Sequence, residues 1–281
     1  MSLLLSRRVL ARSTPVAPAV IAASVVLAVL VAAAAFPALF TSLDPLRADA
    51  AASLLPPSPA HPFGTDQSGR DVFARVVYGA RYSLIVGVGA SLIALVSGLV
   101  VGVTAGLAPK AVDGVLAKVI AVAMSFPEFL LALIVIAIIG PGQLSLLVAL
   151  SIAAAPAYAR VARSQTLVVR GSGYVRAATT LGVSPGLTII RHVVPNTLGP
   201  LLVMATIGVG TSIVAAAGLS FLGLGPAAPA PEWGVILADG RNFLDRAWWI
   251  ALFPGIVITI TVISVSVVGR YLQSRGTGDA R

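Results

Sequence analysis

Long apolar runs dominate this chain, and shorter polar segments separate them. Six are long enough to matter, with approximate limits 19–40, 83–107, 115–139, 144–168, 193–217 and 247–269. About 20 apolar residues cross a bilayer as a helix. Lipid offers no partner for a bare backbone group, so each run must satisfy its own hydrogen bonds. The pattern predicts an all-α integral membrane protein with six transmembrane helices.

The polar segments are uneven. Residues 41–60, rich in proline, are expected to form an extended connector, and the tail "QSRGTGDAR" is expected to lack structure. The longest polar interruption between late runs is "GYVRAATTLGVSPGLTIIRHVVPN", residues 173–196. Within it Tyr174, Ala177, Ala178 and Leu181 recur at helical spacing and give a short helix one mostly apolar face. Gly182 can end that helix and Pro185 cannot continue it. Such a helix can lie in lipid headgroups or present its small residues to a protein groove; spacing alone leaves both open.

Composition supports the membrane reading. Of 281 residues, 58% are hydrophobic and 10% charged, against about 25% charged in ordinary soluble domains. The net charge of +9 does not indicate nucleic acid, because the charges are sparse and divided by apolar runs. Cysteine is absent, which excludes disulfides and thiol chemistry. Arg7, Arg8 and Arg12 give the first run the look of a twin-arginine signal. Its apolar stretch exceeds the 7–15 residues of a typical signal core, and five more runs follow, so a retained helix is expected.

Charge also sets a direction. With the N-terminus cytoplasmic, thirteen of the nineteen basic residues fall on the cytoplasmic side. The other six, Arg47, Arg70, Arg75, Arg81, Arg241 and Arg246, share the external side with seven acids. The positive-inside rule therefore places both termini in the cytoplasm. Trp248 and Trp249 fall at the external end of the last run, where indole rings favour the interface. The expected organisation is a cytoplasmic N-terminus at 1–18, a first helix at 19–40, an external segment at 41–82, a transmembrane domain at 83–270 with its cytoplasmic loop at 169–192, and a cytoplasmic tail at 271–281.

Few residues suggest chemistry. Glu128, after Pro127, is the one ionisable residue inside a run. A charge there must face protein or water; it either lines a translocation path or is a neutral acid hydrogen-bonded in the bundle. Gly98, Gly102 and Gly106 form a row of small residues four apart that lets helices approach closely, within this chain or against a partner. Asp66, Arg70 and Asp71 are expected to form an ion-paired turn tying the external segment down, the other reading being contact with substrate or a docking protein. His61 and His192 have no companions at metal-ligand spacing, so no metal site is expected. Lys110 and Lys118 are the only lysines and neither sits in a phosphate-binding loop. No nucleophile-elbow or zinc-protease motif occurs, so the chain is not expected to be an enzyme.

The polar loop resembles the signature of type I ABC importer permeases, E-A-A-x3-G-x9-I-x-L-P. Arg176, Ala177, Ala178, Gly182 and Pro195 occupy its offsets, with Arg176 in place of glutamate and His192 in place of isoleucine. Two further stretches, "HPFGTDQSGRDVFARVVYGARYSL" at 61–84 and "GLSFLGLGPAAPAPEWGVILADGR" at 218–241, resemble the C-type inner-membrane subunit of dipeptide and oligopeptide importers, a pattern shared with nickel and glutathione importers. The resemblance implies a permease subunit that moves short peptides. It also implies a homologous second permease, two ATPase subunits that bind ATP and Mg, and an extracytoplasmic binding protein. No cofactor is implied in this chain. The helix at 173–184 would be a cytoplasmic coupling helix, with Tyr174, Arg176, Ala177, Ala178, Gly182 and Pro195 at the ATPase contact and Pro195 restarting the fifth span. A proton-driven secondary transporter acting through Glu128 is the reading from another class, and a scaffold or receptor with no transport role is a third.

Overall fold

The computed structural model describes residues 18–278, with side chains as far as Ser274. The helices are α1 (Pro18–Ala35), α2 (Val72–Leu107), α3 (Lys110–Ala123), α4 (Glu128–Ile139), α5 (Gln143–Arg170), α6 (Gly173–Thr180), α7 (Pro185–Thr188), α8 (Val194–Phe221), α9 (Trp233–Gly240) and α10 (Trp249–Gly278). No β-strand occurs among the described residues. Arg7, Arg8, Arg12 and Arg281 lie outside them. The end of the bundle carrying residues 36–71 and 222–248 is called external, after the predicted topology.

Five helices are long and apolar enough to cross a membrane: α1, α2, α5, the α7–α8 rod and α10. The third apolar run is not one straight span. It breaks between Ala123 and Glu128 into α3 and α4, which bend by 88°. Pro127 explains the break. Its ring disfavours helical geometry at Phe126 and it donates no amide hydrogen bond. Glu128 therefore stands in the first turn of α4, not deep inside a continuous helix.

Three other limits differ from the hydropathy reading. Helix α2 begins at Val72, eleven residues before position 83, where Asp71 caps it by accepting from the Ala74 amide at 2.6 Å. Its 36 residues span about 54 Å at 1.5 Å per residue, well beyond a hydrocarbon core of about 30 Å, so its polar first turns project past the apolar layer. The fifth span restarts at Pro185, not Pro195, because Ser184 and Pro185 provide a helix start. It then passes Pro195 through a π-turn at Ile189–Val193, in which the Val194 amide bonds to Ile189 O. Widening the turn accommodates a proline that can neither donate to the ladder nor tolerate a close carbonyl behind it. Finally, the tail expected to be irregular is helical as far as Gly278.

Helix α2 is the axis of the bundle. It packs along α5, α8 and α1, while α10 closes the other side of α8. The glycine row serves that packing inside the chain. A Cβ at Gly98 would overlap Tyr158, one at Gly102 would overlap Ala159 O and Ala162, and one at Gly106 would overlap Thr166. All four contacts lie on α5, so the row is the seam that brings the α2 and α5 backbones together.

Ion pairs tie the external segment to the helices. Asp66 accepts from Arg70 Nε at 2.8 Å and Arg75 Nη1 at 2.7 Å, and Arg75 Nη2 reaches Asp239 of α9 at 3.1 Å. Asp71 pairs with His61 Nδ1 at 2.8 Å. The ion-paired turn expected from sequence is present, and Arg75 and Asp239 extend it across the fold. Helix α9 is fastened as well. Trp233 is buried and donates from Nε1 to Val76 O at 2.9 Å. Glu232 caps α9 by accepting from the Val235 amide at 3.0 Å and also accepts from Ser83 Oγ at 3.2 Å. Burial pushes the Glu232 carboxyl above the usual carboxylate range. Trp248 is exposed, as an interfacial ring would be, but Trp249 is buried and donates to Thr65 O at 3.0 Å.

Candidate functional site

Two places in the fold carry the candidate residues. The first is the loop between α5 and α8. Helix α6 starts after Ser172 and ends in a Schellman motif, with Gly182 N bonded to Thr179 O at 3.1 Å and Val183 N to Ala178 O at 3.1 Å. Gly182 sits at φ +84°, and a Cβ there would meet nothing within 4 Å. Its role in this chain is therefore conformational: it supplies the left-handed residue that ends α6. Val175 is buried against Val169 and Val193, which pins α6 to the end of α5 and to the π-turn before α8. Arg170 Nη1 donates to Gly106 O at 2.6 Å and Arg176 Nη2 to Gly171 O at 2.7 Å, bracing the loop.

The face expected from sequence divides in two. Ala178 is buried within this chain, because it shares the inward side of α6 with Val175. Ala177 and Arg176 are exposed, and Tyr174 (47%) and Leu181 (83%) point outward. Leu187 and Ile190 (71%) extend the outward patch. Sequence reasoning did not single out these two, nor Val175. Their signal was present, since 187 and 190 are one helical turn apart in the expected cytoplasmic loop. Pro195 is exposed within the α7–α8 rod, and the Tyr174 and His192 rings lie 6.2 Å apart.

The second place is a cavity of about 230 Å³ between the start of α4, α5 and α8. Glu128 stands exposed at its edge, and Tyr158, Met204, Gly208, Thr211 and Ser212 line it. Tyr158 is buried, with its hydroxyl 3.1 Å from Ser91 Oγ. Gly208 leaves room for that hydroxyl, which a Cβ would overlap. The structure thus brings Glu128 beside polar groups from two other helices and keeps it away from the α5–α8 loop.

The sequence of residues 98–276 matches the family described as the binding-protein-dependent transport system inner membrane component. The chain belongs to this family. It is 39% identical over 240 residues to a dipeptide transport system permease protein of Alkalihalophilus pseudofirmus, covering 85% of this chain and 79% of that one. It is 36% identical over 253 residues to a probable D,D-dipeptide transport system permease protein of Escherichia coli, covering 90% and 85%. A glutathione transport system permease protein of Escherichia coli is 40% identical over 217 residues, covering 77% and 72%. Among solved structures, the methionine ABC transporter in an inward-facing conformation has a similar fold, with TM-score 0.58 and 21% identity over 71% of this chain and 95% of that one.

As a permease subunit of an ABC importer, this multi-pass membrane protein is not itself an enzyme; separate ATPase subunits hydrolyse ATP. It works with other components of its transport system. The α5–α8 loop and the Glu128 cavity both fall within the residues that match the family.

Proposed function

We propose that this permease moves short peptides inward, with both termini in the cytoplasm, and that the α5–α8 loop couples it to its ATPases. The names of its relatives support the cargo class. Two are dipeptide permeases, and glutathione is itself a tripeptide. The complete importer in this reading adds a homologous permease, two ATPase subunits carrying ATP and Mg, and an extracytoplasmic binding protein. Glu128 stands on the translocation path.

One observation carries the coupling role. The loop places Tyr174, Leu181, Leu187 and Ile190 outward beside Arg176 and Arg191. An exposed apolar patch rimmed by charge marks a protein or membrane contact, and the family's dependence on separate ATPase subunits favours the protein. Ala177 allows close approach, Gly182 sets the end of α6, and Pro195 stiffens the rod behind it. Ala178 supports the helix from within.

The test is ATPase co-purification and peptide-stimulated hydrolysis with Leu181→Asp and Ala177→Asp. Both should release the ATPases or uncouple hydrolysis from uptake while the permease still assembles. Full ATPase binding and coupled uptake in both variants would refute the coupling role. If the loop instead rests on lipid headgroups, Arg176→Ala and Arg191→Ala should weaken it, by about 1 kcal/mol per charge, and Leu181→Trp should be tolerated.

A further inference from the structure

The Glu128 carboxylate differs from the others in this fold. Among the described residues every other acid has a partner. Asp44 and Asp49 accept from nearby amides, Asp66, Asp113, Asp239 and Asp245 are ion-paired, and Asp71 is hydrogen-bonded to Ala74 N and His61 Nδ1. Glu232 accepts from Val235 N and Ser83 Oγ. Glu128 has no hydrogen bond or ion pair, yet it sits within a broken apolar span. A carboxylate there is retained only if it meets water, protein or a cation.

The cavity beside it presents acceptors. Ser91 Oγ donates to Ala205 O at 2.9 Å, so the proton of the Tyr158 hydroxyl has Ser91 Oγ at 3.1 Å and Met204 O at 3.4 Å as its acceptors. Thr211 Oγ1 donates to Gly208 O at 3.0 Å. Both hydroxyl protons are thereby committed within the protein, and both oxygens keep lone pairs free. A carboxylate and two hydroxyl oxygens suit a cation that carries several N–H donors.

We propose that this cavity is a subsite for the primary ammonium group of the cargo. The assignment rests on the peptide-importer reading above. The ammonium is the one cation common to unmodified peptides of any sequence, so a single fixed acid serves a varied cargo. Glu128 at the α3–α4 break is the charge partner, and the Tyr158 and Thr211 oxygens accept the remaining N–H bonds.

The test uses the assembled permease–ATPase complex in lipid nanodiscs, without binding protein. Dicyclohexylcarbodiimide labels carboxyl groups in apolar surroundings, and mass spectrometry quantifies the label at Glu128. Alanyl-alanine amide should slow this labelling severalfold, and N-acetyl-alanyl-alanine amide should not. Protection by neither, equal protection by both, or no labelling at all would overturn the subsite. In uptake assays Glu128→Gln should lower transport of free dipeptides by roughly tenfold or more, the loss expected for a charged hydrogen bond, with the ATPases still bound. Unchanged uptake in that variant would remove the subsite and leave the importer standing. Wild-type complexes that neither bind ATPases nor take up peptide would instead overturn the underlying reading.

Discussion

Arg75 and Asp66 meet at 2.7 Å with both side chains fully buried. Arg75 also reaches Asp239, 164 residues away, so one guanidinium joins the external segment, α2 and α9. Breaking a buried pair leaves an unpaired charge and costs about 3–5 kcal/mol. Asp66→Asn and Arg75→Met should therefore each lower the unfolding temperature of the purified permease sharply and speed tryptic cleavage at the exposed Arg47. Unchanged melting in both variants would show that the pair contributes nothing to the external assembly.

The α2–α5 seam makes a contrasting pair of predictions about glycine. Gly102→Ala places a Cβ against Ala159 O and Ala162, with backbone that cannot yield. Overpacking of this kind costs about 1–3 kcal/mol. Gly114 lies in α3 with open space around it, so Gly114→Ala should stabilise the helix by about 0.5–1 kcal/mol. Differential scanning fluorimetry on matched preparations should show shifts of opposite sign.

Gly182 tests the shape of the coupling loop separately from its surface. Its φ of +84° strains an ordinary L-residue by about 1–2 kcal/mol, whereas asparagine visits that region more readily. Gly182→Ala should reduce coupled uptake more than Gly182→Asn, although alanine is smaller and nothing in the chain contacts the site. The reverse order would mean that bulk against the ATPase governs this position.

Glu232 links stability to pH. Burial holds its carboxyl above the ordinary range in the folded protein, so the folded state binds that proton more tightly than the unfolded state. Stability from this group is then highest at low pH. It declines as pH rises from the ordinary carboxylate value through the raised one. Glu232→Gln removes the titration and keeps an oxygen to accept from Val235, so the melting temperature of the variant should fall less across that window. Parallel pH profiles for the two proteins would argue against the shift.

Much of this was legible in the sequence because the relevant signals are local. Apolar length set the spans, since a hydrocarbon layer asks only for enough apolar residues with internally bonded backbone. Gly182 marked the end of α6, because turn chemistry is a property of single residues, whereas the restart expected at Pro195 falls at Pro185. The offsets of Arg176, Ala177, Ala178, Gly182 and Pro195 carry the family resemblance in the sequence itself.

The tertiary structure decided which way each residue looks. A helix surrounded by lipid can be apolar on every side, so hydropathy does not say whether Gly102 faces α5 or a partner, and only packing turned it to Ala162. Ala177 and Ala178 are alike in composition and adjacent in sequence. Val169 and Val193, brought together from the end of α5 and the π-turn before α8, trap Val175, and Ala178 lies on the same inward side of α6. Hydropathy reads 115–139 as one run, and the 88° bend at Pro127 that brings Glu128 beside Tyr158 and Thr211 depends on how α4 seats against α5. Local sums determine that a segment is helical and how long it runs. The neighbour of each side chain is set by chain segments far away in sequence, and only the folded packing brings those together.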